Sequence, residues 1–247
     1  MNSFKLGLCS VTFRKKSAQE VIEIAQKAGI SYIEWGGDVH VKTVEDALRV
    51  KTMCDNADIK VSSYGSYFNS IDYSEDKWIS VCETANALGA SSVRIWLGKK
   101  DSEKTDESEY HTLLKNTKCM CEIAGKYGLV VSPECHDNTF NNNTDAFLRI
   151  NQDLQQDNFR TYFQSRYFRM QYDIDRIDRT FDFVENVHVS YRDLKKEQLF
   201  RKKDIHYLDK LLKKLRSKSF RGIVMVEFVD FDCEKVFYRN IRKLKKY

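Results

Sequence analysis

The 247-residue sequence holds one proline, Pro133, and no Pro-, Gly- or Ser-rich stretch or low-complexity tract, so nothing in it marks a linker between domains. Long apolar runs are missing too. The longest aliphatic stretch, Ile223 to Val226, is far too short to span a bilayer, and no membrane partner is expected. Met1 runs straight into a strand-like segment without the charged, apolar and small-residue zones of a secretory signal, which leads us to expect a cytoplasmic protein. The seven cysteines are odd in number and irregularly spaced, and they read as reduced thiols rather than a disulfide framework. Cys119 and Cys121 fall in a helical pattern, where residues two apart point about 200° apart around the axis and do not converge on one ion.

What is present suits a soluble globular chain: 42% hydrophobic and 31% charged residues with a negative mean hydropathy. The length matches one α/β barrel domain spanning residues 1–247. The net charge of +5 is unevenly spread, with 18 Lys and Arg against 8 Asp and Glu from Arg192 onward, and 23 against 28 before it. A basic quarter of this kind can attract nucleic acid or phosphorylated substrates. Here the charges fall on the outer faces of two predicted helices, where solvated lysine is ordinary, and no nucleic-acid partner is expected.

Apolar, β-branched runs recur roughly every 30 residues: Phe4 to Cys9, Tyr32 to Trp35, Ile59 to Tyr64, Val93 to Leu97, Leu129 to Cys135, Arg160 to Gln164, Val184 to Val189 and Ile223 to Val229. Helical patterns lie between them. Ser17 to Glu20 forms a capping box that leads into Val21, Ile24, Ala25 and Ala28 before Gly29, while Gly89 and Gly128 stop helices Lys77 to Leu88 and Tyr110 to Tyr127. Eight short apolar strands alternating with eight helices predict a parallel sheet covered on its outside, closed into a single (β/α)8 TIM barrel. An open doubly wound sheet often shows a glycine-rich phosphate loop, and no GxGxxG follows the first strand. Gly98-Lys99 resembles the end of a P-loop, but Val93 stands where the leading glycine belongs and Lys100 where Ser or Thr should follow. The polar stretch Lys99 to Ser108 is the candidate mobile loop, or solvated connection, on the face where barrel active sites form.

In a barrel the reacting residues close the strands at their C-terminal ends. Strand five ends Ser132-Pro133-Glu134-Cys135-His136, strand six Tyr162-Phe163-Gln164, strand seven Val187-His188-Val189 and strand eight Val226-Glu227-Phe228. Period-two alternation turns Val187, Val189, Val226 and Phe228 toward the helices and leaves His188 and Glu227 pointing inward. Charge buried near a barrel axis is costly unless paired or metal-bound. Two carboxylates, an imidazole and a neutral oxygen suit a divalent ion such as Mn²⁺, Mg²⁺, Co²⁺ or Zn²⁺ better than they suit a thiolate-held zinc. The competing structural reading pairs Glu34 with Arg94 as one buried ion pair across strands two and four and makes His188 a satisfied core histidine.

The segments Leu8-Cys9-Ser10-Val11-Thr12-Phe13, Ile33-Glu34-Trp35-Gly36-Gly37-Asp38-Val39-His40, Ser63-Tyr64-Gly65-Ser66-Tyr67 and Val93-Arg94-Ile95-Trp96 resemble the sugar phosphate isomerase/epimerase family of xylose isomerase-like barrels, over nearly the full chain. The resemblance implies a divalent metal held by Glu134, Gln164, His188 and Glu227, with Glu134 and Glu227 also removing and returning a proton through a metal-stabilised enediolate of a small sugar, sugar phosphate or cyclitol. Gln164 departs from the family, whose epimerases have aspartate there; the amide carries no charge and implies weaker metal binding. His136, Arg94 and the strand-end residues Trp35, Tyr64 and Trp96 are candidates to bind substrate, and His40 resembles the family's residue in that loop. Tyr67 and Phe68 are further aromatics at the same end. Lys99, Lys100 and Arg192 could meet a substrate phosphate, or be exposed loop charges. A dehydratase using the same abstraction, a protein like the abasic-site endonucleases of the superfamily and a non-catalytic sugar-binding barrel are the alternatives. The endonuclease needs many His and Asp ligands, whereas this chain has five histidines, of which His111 and His206 fall in helical patterns.

Overall fold

Each apolar run becomes a strand in the computed structural model, which describes residues 4–165, 170–189 and 202–247. The strands are β1 (Lys5–Cys9), β2 (Tyr32–Gly36), β3 (Lys60–Asn69), β4 (Ser92–Trp96), β5 (Val130–Pro133), β6 (Thr161–Gln164), β7 (Val184–Val189) and β8 (Ile223–Val226). They pair in parallel in the order β5-β4-β3-β2-β1-β8-β7-β6. Parallel bridges from Val131 to Phe159 and from Glu134 to Tyr162 join the two ends of that order, so the sheet closes on itself. The Val131 N–H donates to the Asn158 carbonyl at 2.8 Å, and the Arg160 N–H returns a bond to Val131 at 3.0 Å.

The covering helices are α1 (Ala18–Ala28), α2 (Val44–Asn56), α3 (Glu75–Leu88), α4 (Glu107–Lys126), α5 (Thr144–Leu154), α6 (Met170–Thr180), α7 (Lys202–Ser217) and α8 (Glu234–Leu244). The capping box before α1 is formed in both directions, and Gly29 adopts φ 62°, the left-handed turn that ends the helix without a Cβ penalty. Helix α4 starts three residues before the predicted Tyr110, because the Asp106 carboxylate accepts the Glu109 N–H at 2.9 Å and caps an earlier first turn. The polar stretch after β4 is tied down: Ser102 Oγ donates to Asn142 at 2.8 Å, and Asn142 and Asn143 donate to Glu103 at 2.9 and 3.0 Å. Cys119 and Cys121 sit within α4, and all seven cysteines are free thiols. Among the described residues no helix is long and apolar enough to cross a membrane.

The apolar core lies between sheet and helices, where Leu8, Ile33, Val93, Ile95, Val131, Val187, Val224 and Val226 meet helical residues such as Ile22, Cys54, Trp78, Phe147 and Phe237. The alternate strand positions face the axis, and their registers stack them: Cys9 beside Glu34, Glu34 beside Ser63, Gly65 beside Arg94, Arg94 beside Ser132, and Gln164 beside His188. Polar residues on one closed inner wall are thereby forced to meet.

Candidate metal centre

Glu134 and Glu227 each follow the last residue of their strand, β5 and β8, and the Glu227 N–H continues the ladder by donating to Val189 at 3.0 Å. His188 stands on β7 between them. Its Nδ1 lies 3.6 Å from a carboxylate oxygen of Glu134 and 3.6 Å from one of Glu227, and its Nε2 lies 3.4 Å from Glu34. The three candidate ligand atoms of Glu134, His188 and Glu227 are all within 4.8 Å of one another. Gln164, paired with His188 in register, brings a buried Oε1 that has no hydrogen-bond partner.

The buried ion pair of the competing structural reading forms, and it reaches the candidate ligands. Arg94 does pair with Glu34, its Nε donating at 3.0 Å, but Nη1 also donates to Glu134, so one guanidinium ties the β2 and β5 carboxylates together. Gly65 makes room for it: a Cβ there would lie 2.8 Å from Arg94 Nη2. Glu34 is further held by Ser63 Oγ at 2.8 Å and by the Cys9 thiol at 3.1 Å. Trp96 Nε1 donates to Glu134 at 3.3 Å, and His136 stacks on Trp96 with ring centroids 5.4 Å apart. The Tyr67 ring packs under Arg94 and edge-on to Trp96.

Glu34, Arg94, Glu134, His188, Glu227 and Cys9 are almost wholly buried, so their charges act on one another with little screening. Burial alone would raise the Glu134 carboxyl, but Arg94, with His188, pulls it down to about 2. Against the same effect of burial, Arg94 and His188 hold Glu34 well below the ordinary carboxylate range. For His188 burial favours the neutral ring, yet Glu34, Glu227 and Glu134 outweigh it and raise the pKa well above its ordinary value. Burial, with Glu34 and Glu227 nearby, raises the Cys9 thiol and keeps it protonated.

A divalent cation fits this donor set on three observations. Among the described residues, Glu34, Glu134 and Glu227 against Arg94 leave two negative charges when His188 is neutral, the charge such an ion cancels. Neither ring nitrogen of His188 makes a hydrogen bond, and Gln164 Oε1 is likewise orphaned, an arrangement that is costly unless something binds there. Placing the His188 proton on Nε2, toward Glu34, leaves the Nδ1 lone pair directed between Glu134 and Glu227, the orienting role that carboxylates play behind metal-bound histidines.

Other candidate residues lie elsewhere. Trp35 is fully buried, edge-on to His40 and beside Cys54 of α2, on the helix side of the sheet. Tyr64 donates to the Val41 carbonyl at 3.0 Å under the turn after β2, and His40 bridges Ser10 Oγ and the Lys16 carbonyl at 3.1 and 3.0 Å. These three are not brought to the carboxylates. Phe68 packs on Trp78. Lys99 pairs with Asp72 and Lys100 with Glu109 at the surface, and Arg192 and the His206 side chain lie outside the described residues. Sequence reasoning missed Cys9, Ser63 and Gly65 as parts of the centre. The signal was available, since each stands in register with Glu34 or Arg94 on an inward position.

Eight parallel strands with a carboxylate–imidazole cluster at their C-terminal ends define a (β/α)8 barrel with a candidate metal centre. The family model of the xylose isomerase-like TIM barrel matches residues 22–247, and the chain belongs to that family. No curated protein matches it. Among solved structures it is similar to the probable 3-DHS dehydratase of petrobactin synthesis from Bacillus anthracis, with TM-score 0.81 and 14% identity over 97% of this chain and 98% of that one. It is also similar to the 3-keto-D-glucoside 4-epimerase of E. coli, with TM-score 0.75 and 14% identity over 99% and 100% of the two chains. A D-psicose 3-epimerase from Clostridium cellulolyticum H10 gives 0.71 and 14% over 98% and 96%. At these identities the likeness is one of fold.

Proposed function

We propose that this chain is a cytoplasmic, divalent-metal-dependent enzyme that isomerises or epimerises a small sugar, sugar phosphate or cyclitol. The observation that carries the reading is the convergence of Glu134, His188 and Glu227 within 4.8 Å at the open end of the barrel, with the unsatisfied amide oxygen of Gln164 on the neighbouring strand. Those four residues would hold the ion. Bound there, a divalent cation supplies a Lewis acid that stabilises negative charge on a substrate carbonyl while the adjacent C–H is deprotonated.

The two glutamates differ in what surrounds them. Glu134 is clamped by Arg94 and by the Trp96 N–H, and a carboxyl held at about 2 is a weak base. Among the described residues the only charged partner of Glu227 is His188, so proton abstraction falls to Glu227, which then carries the proton and can give it back to the adjacent carbon; return from the other side would need Glu134 first to take up a proton from solvent. Trp96 and His136 form a stacked wall beside Glu134 for the apolar face of a sugar ring and one of its oxygens. Loss of a β-hydroxyl after the same abstraction would make the enzyme a dehydratase, the class named for the Bacillus anthracis neighbour.

The test is solvent-deuterium exchange. Metal-stripped protein reloaded with Mn²⁺, Mg²⁺, Co²⁺ or Zn²⁺ is incubated with a panel of ketoses, aldoses and inosoles in D2O, and the protons beside the carbonyl are followed by NMR. Exchange that requires metal and is abolished by Glu227→Gln supports the reading. Absence of metal binding by calorimetry together with absence of exchange overturns it.

A further inference from the structure

In the segment Leu8 to Phe13, Cys9 touches the centre through Glu34. The other polar residues of this segment lie in the short 3-10 turn that follows β1, residues Ser10–Phe13. Thr12 is 1% exposed and far from any candidate ligand in sequence, but its hydroxyl sits against the end of β8. Thr12 Oγ1 donates to the carbonyl of Val226 at 3.3 Å and accepts the N–H of Phe228 at 3.0 Å. It therefore binds the backbone on both sides of Glu227.

The second observation is conformational. Phe228 has φ 58°, in the left-handed region that a bulky residue without glycine's freedom occupies only where its surroundings hold it. Nothing about a Phe side chain favours that backbone, and the Phe228 N–H is held by the bond it donates to Thr12 Oγ1. The turn acts likewise on its other neighbour: Ser10 Oγ accepts the Gly36 N–H at 2.9 Å and meets His40 Nδ1 at 3.1 Å. Residues 10 and 12 thus staple the ends of β2 and β8 to β1, one on each side.

We infer that Thr12 is a positioning residue for the metal centre: its two-sided backbone bond holds Phe228 in the left-handed conformation and so aims the Glu227 carboxylate at His188. The inference rests on the reading of Glu227 as a ligand. Without the hydroxyl, the Phe228 N–H loses its partner, the peptide relaxes toward negative φ, and the side chain of Glu227 turns with it.

The experiment measures Mn²⁺ affinity by calorimetry on metal-stripped full-length protein, alongside urea unfolding of the same metal-free samples. Thr12→Val keeps the shape and removes both bonds; Mn²⁺ affinity is expected to fall roughly 10- to 100-fold, as for other residues that orient a ligand. Thr12→Ser should restore it. The decisive arm adds Phe228→Gly to Thr12→Val: glycine takes φ 58° without strain, so the double variant should bind Mn²⁺ more tightly than Thr12→Val alone, a rescue that a merely structural role would not produce. Thr12→Ala carries the same comparison should the valine variant not fold. Wild-type affinity in Thr12→Val, or no gain from the added glycine, overturns the inference while leaving the centre intact. Failure of the wild-type protein to bind any of the four ions removes the reading of the centre itself, and this inference with it.

Discussion

Replacing Arg94 with methionine, a side chain of similar length, is the sharpest test of the electrostatics inside the barrel. Glu34 and Glu134 share this one guanidinium and are 0% and 3% exposed, so water cannot take its place. Removing one member of a buried ion pair costs about 3–5 kcal/mol, because the partner charge stays behind. For a chain of this size each kcal/mol moves Tm by about 2–4 °C, which puts the fall at about 6–20 °C. The pH dependence identifies the cause. In the native protein the Glu134 carboxyl is drawn down to about 2 from the 4.5 of a free glutamate, so its contribution to stability is present above 4.5 and is lost as pH falls from there toward 2. Without Arg94 only His188 opposes burial, the folded carboxyls take up protons more readily than in the native protein, and the deficit of the variant should be full at pH 7 and shrink as pH falls and they are neutralised. Thermal unfolding of metal-free wild type and Arg94→Met by circular dichroism, from pH 7.5 downward, measures this, and Arg94→Met with Glu134→Gln should regain part of the loss. A variant within about 1 kcal/mol of wild type at pH 7, or one with a deficit that does not change with pH, would refute the argument.

Gln164→Asp adds a charged oxygen to the donor set and should tighten Mn²⁺ binding at least about tenfold while lowering the Tm of the metal-free protein; unchanged affinity in calorimetry would remove position 164 from the centre. The raised pKa of His188 means that the metal-free protein carries the imidazolium at neutral pH, which stabilises the fold below the ordinary histidine pKa and is lost as pH rises through the folded value. Metal binding must displace that proton, so calorimetry in buffers of different ionisation enthalpy should record release of about one proton per ion and an affinity that rises with pH. Zero release would argue against His188 as a ligand. Gly65→Ala places a Cβ 2.8 Å from Arg94 Nη2 and 3.4 Å from Glu34 Oε1. Since Arg94 is pinned from two sides, the crowding should cost about 1–3 kcal/mol in urea unfolding.

The barrel was legible because its signals are local: apolar runs at even spacing, a capping box at Ser17, and glycines at the ends of α1 and α3 that adopt φ 62° and 76°. The inward direction of His188 and Glu227 followed from period two alone. What could not be read was which inward residues meet across the axis. Arg94 and Glu134 are 40 residues apart and meet through the pairing of β4 with β5, whereas His188 and Glu34 are 154 apart on strands that do not pair and meet only across the closed barrel. The aromatics show the opposite limit. Trp35 and Trp96 lie at strand ends but Tyr64 falls in mid-β3, which runs on to Asn69; Glu34 takes the axis on β2 and Gly65 makes room for Arg94 on β3, so Trp35 and Tyr64 pack away from the centre while Trp96 follows Arg94 onto the inner wall.

That same wall changes the meaning of the neutral residue at position 164. Counted by ligands alone, glutamine in place of an aspartate subtracts a charge and would weaken a metal site. Counted over the whole interior, Glu34 cancels Arg94, and Glu134 with Glu227 supplies the two negative charges that a divalent ion neutralises, with His188 neutral. A third ligand carboxylate would leave the loaded centre with a net negative charge at nearly complete burial, where such charge is expensive. The metal-free protein would then depend still more on the His188 proton to hold three carboxylates around one ring. In a metal-binding centre glutamine would trade affinity for a neutral loaded state, and the two halves of the Gln164→Asp experiment, tighter binding and a less stable metal-free protein, must appear together for that account to stand.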